Sequence, residues 1–254
     1  MPMITVNNVY HRLDGLEVLS GASLQIERGR FAALIGKSGE GKTVLLKHMA
    51  GLMQPDSGRV LIDGNDLCCL SRRKLQQLRR RFGFVFQSGA LFDSMTVYEN
   101  VAFPLREKNN GMTEPEIHEK VMNEIGQVGL SGSENKLPAH LSGGMIKRAA
   151  LARGLVVEPE IMFFDEPVTG LDPMIGHTIL ELIHECHERH HFTGVIVTHQ
   201  LKDVFAVVHE VAMLHEGKIY FHGTPEEIQA SGDHVISDFI TGNTEGLADR
   251  RTGA

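Results

Sequence analysis

The chain has 254 residues, 42% hydrophobic and 22% charged, with a formal net charge of −7, which fits one large α/β domain or a core domain carrying an inserted one. This ordinary globular balance offers no basic face, so nucleic acid is not expected as a partner. No run approaches the ~20 uncharged apolar residues that span a bilayer, and the start, MPMITVNNVYHRLDG, lacks a charged segment followed by an apolar one, so a cytosolic chain is expected. The cysteines are Cys68, Cys69 and Cys186, an odd count with two adjacent members, which fits a reducing compartment and no disulfide framework.

In chain order, short β-rich runs occur at residues 31–35, 82–86, 161–164, 195–198 and 211–214, with helical patterns between most of them. That alternation predicts a parallel sheet. Between Gln87 and Pro159 strand signals vanish, and an inserted helical subdomain is predicted over about 88–158. Thr96 with Glu99, and Thr113 with Glu116, have capping-box spacing, and Ile117, Val121, Ile125 and Val128 recur at helical spacing up to Gly129, which predicts one buried face. Residues 1–240 form the expected domain, and the polar end at 241–254 is expected to be a tail.

GKSGEGKT, comprising Gly36, Lys37, Ser38, Gly39, Glu40, Gly41, Lys42 and Thr43, follows the apolar run FAALI and precedes the helix-compatible VLLKHMAGL. Strand, glycine-rich loop and helix in this order form a phosphate cradle. Backbone N–H groups turn inward, Lys42 supplies a cation to the β- and γ-phosphates, and Thr43 places a hydroxyl on Mg²⁺. IMFFDE supplies the second half, with Asp165 placed to hold Mg²⁺ and Glu166 to orient or polarise an attacking water. LSGG opens a further helix pattern with Ser142, Gly143 and Gly144, a second anion-ready helix start. Because the first nucleotide already has its helix, this one is expected to serve a nucleotide on another subunit. Its plainer alternative is a Ser-Gly-Gly helix cap.

These segments together resemble the ATP-binding cassette (ABC) family over nearly the whole chain: the phosphate loop, Gln87 in a Q-loop, LSGG, IMFFDE, GLD ending at Asp172, and His199 occur in family order. The resemblance implies a phosphate-loop ATPase domain with an inserted α-helical subdomain, and a head-to-tail homodimer. Two ATP molecules would lie between each phosphate loop and the opposite LSGG. It further implies that His199 contacts the γ-phosphate, Gln87 reaches Mg²⁺ and water, and Asp172 couples the two sites. Taken singly, these three have plainer readings: a strand-end histidine, a loop glutamine and a helix cap. The aromatic that usually stacks on adenine is missing, since the aligned residue is Leu13, with Tyr10 nearby.

Within the family, FQSGALFDSMTVYENVAFPL and LSGGMIKRAALAR, with Met145 in place of a commoner glutamine, resemble the Mla and Mkl type. That type implies phospholipid transport between bacterial membranes, integral permease subunits, an MCE-domain lipid-binding protein, and a place on the cytoplasmic face of the inner membrane. Leu91, Phe92 and Met95 would then be apolar anchors for a permease helix, or else core residues of the helical subdomain. The remaining alternatives are a cytosolic non-transport cassette of the cluster-assembly type, an importer subunit for another substrate, and a metalloprotease. The last rests on His187-Glu188-Arg189-His190-His191, which matches H-E-x-x-H but is expected to be a solvated helix face.

Overall fold

The computed structural model describes residues 2–108, 111–199 and 201–241; the predicted tail, from residue 242 onward, lies outside them. The chain opens with a hairpin of β1 (Pro2–Leu13) and β2 (Leu16–Glu27). Its turn, Asp14-Gly15, has φ of 51° and 83°, the pair of positive values that a two-residue hairpin requires. β3 (Phe31–Ile35) runs into the glycine loop and α1 (Lys42–Met49). β4 (Ser57–Ile62), β5 (Asn65–Asp66), α2 (Arg72–Arg79) and β6 (Phe82–Val85) follow.

The next stretch is helical: α3 (Val97–Lys108), α4 (Glu114–Gln127), a single 3₁₀ turn (Pro138–His140) and α5 (Gly143–Leu155). Strands then return with β7 (Ile161–Asp165), α6 (Pro173–His190), β8 (Thr193–Val197), α7 (Leu201–Val204), β9 (Glu210–His215), β10 (Lys218–Gly223), α8 (Pro225–Gln229) and α9 (His234–Thr241).

Two sheets result. The larger has the order β10-β9-β3-β8-β7-β6, parallel except for β10. The smaller, β2-β1-β4-β5, is antiparallel. The five strands expected from composition are the parallel ones. They read as continuous apolar runs because both faces are covered. Ala32, Leu34, Phe163, Val195 and Val197 face a core shared with α1 and the smaller sheet, while Phe31, Ala33, Ile35, Phe164 and Ile196 face α3 to α6. The smaller sheet and β10 are additions to the expected architecture.

The helical stretch follows its sequence signals closely. Thr96 N–H donates to Glu99 Oε2 at 2.7 Å and Glu99 N–H to Thr96 Oγ1 at 3.2 Å, a closed capping box, and Thr113 with Glu116 repeats it. Ile117, Val121, Ile125 and Val128 are buried. Glu124 falls on the same stripe and is 5% exposed with an unpartnered Oε1. Burial pushes its carboxyl up to about 7, against a weaker opposing pull from Arg189.

A carboxyl raised in the folded state favours folding while protonated, so this contribution is fully present below the unfolded value of 4.5 and is lost as pH rises through about 7. Glu124→Gln is therefore expected to stabilise the fold above pH 7, by an upper bound of about 3 kcal/mol, and so to raise the thermal midpoint there. The gain should vanish near pH 4.5. Melting curves of both proteins across this range check it.

Candidate active site

β3 delivers the chain to Gly36, and α1 begins one residue after Gly41, which caps the helix in the left-handed region (φ 99°) without any side-chain hydrogen bond. The first N–H groups of α1 are thus open to an anion. Crowding explains the glycine as well, since a Cβ at Gly41 would lie 2.6 Å from Val18 Cγ1. Lys42 Nζ donates to the carbonyls of Gly36 (2.9 Å) and Lys37 (2.8 Å). Burial pushes its pKa down, opposed by the carboxylates of Glu166, Glu40 and Asp165.

β7 runs beside β8 and ends at Asp165, whose Oδ1 accepts Thr43 Oγ1–H at 2.9 Å. Two hard oxygens from distant segments therefore meet beside the loop, a donor set suited to Mg²⁺. The next residue, Glu166, has a φ of 50°, an uncommon conformation for a side-chain-bearing residue that costs roughly 1 kcal/mol or more and concentrates at functional sites. Its N–H is held by Val197 O at 2.9 Å. Its Oε2 accepts Thr169 Oγ1–H at 2.8 Å and pairs with His199 Nδ1 at 2.9 Å. Sequence reading missed Thr169; its signal is a hydroxyl three residues after the Asp-Glu pair.

Ser38, Gly39, Gly41, Lys42, Thr43, Gln87, Glu166, Thr169 and His199 line one cavity of about 450 Å³ together with Leu13, Val18 and Val44. The Gln87 carbonyl accepts Lys147 Nζ–H from α5, which ties the Q-loop to the LSGG helix. Leu13 and Val18 give the cavity an aliphatic wall without an aromatic ring. Tyr10 is not on it; its hydroxyl lies over Gly21, where a Cβ would come within 2.9 Å.

Other expected site residues lie off this cavity. Gly36, Lys37 and Glu40 form the back of the loop. Ser142 caps α5, accepting Met145 N–H at 3.3 Å, and Asp172 caps α6, accepting Met174 N–H at 2.9 Å. A Cβ on Gly143 would meet Leu171 and one on Gly144 would meet Ile175, so LSGG packs against the start of α6, beside Met174, which is 81% exposed. Ser142, Gly143 and Gly144 do not line the phosphate-loop cavity of their own chain.

The H-E-x-x-H segment departs from expectation. His187 is 3% exposed, stacked on Phe31 at 5.4 Å, and its Nε2–H donates to Gly29 O at 3.1 Å. His191 ends the helix in the left-handed region. His187 is thus a core residue, while His191 is exposed, as a solvated face would have it. His187, Glu188 and His209 do bring ligand atoms within 4.8 Å of one another, but His209 Nδ1 accepts Phe31 N–H at 3.0 Å. The neutral ring therefore carries its proton on Nε2, where a metal would need a lone pair.

His187→Ala is accordingly expected to lose about 2 kcal/mol or more, lowering the midpoint by roughly 4–8 °C, while His191→Ala changes it little. Calorimetry of the two variants checks this, and metal analysis of the purified protein should find no stoichiometric zinc.

A second concavity, about 570 Å³, lies between edge strand β6 and α3, lined among others by Phe84, Phe86, Ala90, Phe92, Phe103 and Pro104. Phe84 stacks on Phe86 at 5.3 Å and Phe92 packs on Phe103 at 4.8 Å. Of the three anchors expected from sequence only Phe92 is on this wall, 43% exposed. Leu91 packs against the helical core, and neither it nor Met95 lines the groove.

A glycine loop from strand to helix, with Asp-Glu at the end of β7, one strand away from β3 across β8, defines a nucleotide hydrolase of the phosphate-loop kind. The sequence model described as ABC transporter matches residues 19–169, and the chain belongs to that family. It is 37% identical over 244 residues, 96% of this chain and 92% of the relative, to the "Intermembrane phospholipid transport system ATP-binding protein MlaF" of Haemophilus influenzae. It is 39% identical over 243 residues, 96% of this chain and 67% of the relative, to the "Probable ribonucleotide transport ATP-binding protein mkl" of Mycobacterium bovis. Among solved structures, a dimeric post-hydrolysis state of the ATP-binding cassette MJ0796 bound to ADP and Pi superposes with a TM-score of 0.80 at 30% identity, covering 88% of this chain and 99% of the other.

Proposed function

We propose that the chain is the ATP-hydrolysing subunit of a membrane transporter for phospholipid, acting as a head-to-tail pair of copies bound to integral permease subunits on the cytoplasmic face. The observation that carries the ATPase reading is Glu166, whose backbone takes a left-handed conformation and whose carboxylate is held by Thr169 and His199 on the wall of the phosphate-loop cavity. The relative named for intermembrane phospholipid transport, matched over 92% of its length, carries the choice of substrate, and an MCE-domain lipid-binding protein belongs to the same reading.

The N–H groups of the loop and the start of α1 bind the phosphates, and Lys42 leaves its carbonyl partners to meet their charge. Thr43, Asp165 and Gln87 would hold Mg²⁺, which neutralises charge on the phosphate oxygens. Glu166 orients the attacking water and draws on its proton, and His199 contacts the γ-phosphate from the same wall. Ser142, Gly143 and Gly144 supply N–H groups to the ATP of the opposite copy, which accounts for a glycine-rich helix start that lies off its own chain's phosphate-loop cavity. Asp172 sits beside them and links the two sites. The aromatic groove beside β6 receives an amphipathic permease helix.

Purification of the tagged protein from detergent-solubilised membranes, followed by mass spectrometry, tests the substrate. The expected result is a membrane permease with bound phospholipid. Enrichment of ribonucleotide without lipid would favour the function named for the mycobacterial relative, and a complex with soluble proteins alone would favour a non-transport cassette.

A further inference from the structure

The phosphate loop carries a carboxylate where its task is to hold a polyanion. Glu40 stands between Gly39 and Gly41, yet its side chain turns behind the loop. Its Oε2 accepts Lys37 N–H at 3.2 Å, and its own N–H donates to Lys37 O at 3.3 Å. The same Lys37 carbonyl accepts Lys42 Nζ–H at 2.8 Å, so the peptide that Glu40 grips is one that places the phosphate-binding ammonium.

Glu40 is itself gripped from the sheet. His215, the last residue of β9, brings Nδ1 to within 3.0 Å of Glu40 Oε1, and the edge of Tyr220 from β10 packs on the His215 ring at 5.6 Å. The seat is tight, because a Cβ on Gly36 would lie 2.9 Å from Glu40 Oε2 and overlap the Leu214 carbonyl. Both side chains are mostly covered, 16% exposed for Glu40 and 20% for His215. A carboxylate hydrogen-bonded to a backbone N–H and an imidazole stays off the cavity wall, which is how it is tolerated beside a triphosphate.

We propose that Glu40 and His215 form a buckle that sets the shape of the phosphate loop, acting as positioning residues for ATP binding. The proposal rests on the loop being the ATP site and is independent of the transported substrate. Because the pair lies behind the loop, away from Glu166 and His199, it supports ground and transition states alike, and its loss should appear in KM more than in kcat.

The test is calorimetric titration of MgATP into the full chain in a Glu166→Gln background that prevents turnover. Glu40→Ala and His215→Ala are each expected to weaken binding about tenfold. Their combination should weaken it about tenfold again relative to the parent, and not a hundredfold, because the two act as one unit. Glu40→Gln keeps an acceptor for Lys37 N–H and an amide for His215, and should stay within about threefold. In the permease-bound complex with Glu166 intact, Glu40→Ala should raise KM for ATP about tenfold and change kcat less than threefold.

Weakening under fivefold in either alanine variant, a multiplicative double variant, or a glutamine variant as weak as alanine overturns the proposal. Should the alanine variants fail to fold, Glu40→Gln and His215→Asn decide it, both within threefold in support and either beyond tenfold against. Failure of the parent to bind MgATP would instead sink the assignment of the loop.

Discussion

Glu166→Gln should bind MgATP at least as well as the wild type and hydrolyse it at least a hundredfold more slowly. The substitution is nearly isosteric, and an amide can still accept Thr169 Oγ1–H, the 2.8 Å bond that orients the carboxylate. What it cannot do is draw a proton from water, and the loss of a group acting mainly in the transition state costs on the order of 10²–10³ in kcat. Binding persists because the loop N–H groups, Lys42 and Thr43 are untouched, and removing a negative charge from the cavity wall favours a polyanion. Lys42→Ala should give the opposite signature, with weakened binding itself. Single-turnover assays beside equilibrium titration separate the two, and near-normal turnover in Glu166→Gln would reject its assignment as the water-activating group.

Phe86→Asp combined with Phe92→Asp should abolish capture of the permease while sparing the nucleotide site. Both rings are partly exposed, 36% and 43%, so a carboxylate at either position can reach water, and the melting midpoint should move by only a few degrees. A docking helix would meet two charges in place of two aromatic anchors. At roughly 2 kcal/mol or more per anchor, the combined loss would exceed a hundredfold in affinity. Unchanged MgATP binding with lost co-purification is the expected pair of results. A folded variant that still captures the permease would remove the groove from the interface.

Why this groove was only partly legible follows from how it is built. The sequence marks one apolar stretch, from which Leu91, Phe92 and Met95 look equivalent, but the wall is assembled from β6, the segment after it and α3. Phe103 packs on Phe92, and Phe84 joins the same wall, only in the fold. The parallel strands were readable because burial on both faces makes them uninterrupted apolar runs, such as Phe31 to Ile35. β1 and β2 were not, because bulges break their two-residue period: register shifts fall between Val6 and Val9, and Asn8 has a φ of 49°.

The site divides in the same way. The glycine loop and Asp165-Glu166 are legible because each is a local motif with its chemistry in the residue types, whereas His199 stands out only through the family order of the segments. His187 was misread because its helix looks charged in sequence, whereas the fold lays that face over Phe31. The Glu40–His215 pair joins residues 175 apart, and no local pattern announces it.

The mass and nucleotide content of Glu166→Gln in MgATP test the composite site, shared between two copies, most directly. Light scattering with nucleotide quantification should find a dimer that holds two ATP and falls to monomers when the nucleotide is removed, with Ser142→Arg binding ATP yet remaining monomeric. A monomer that keeps one ATP at concentrations where the wild type hydrolyses at full rate would contradict it.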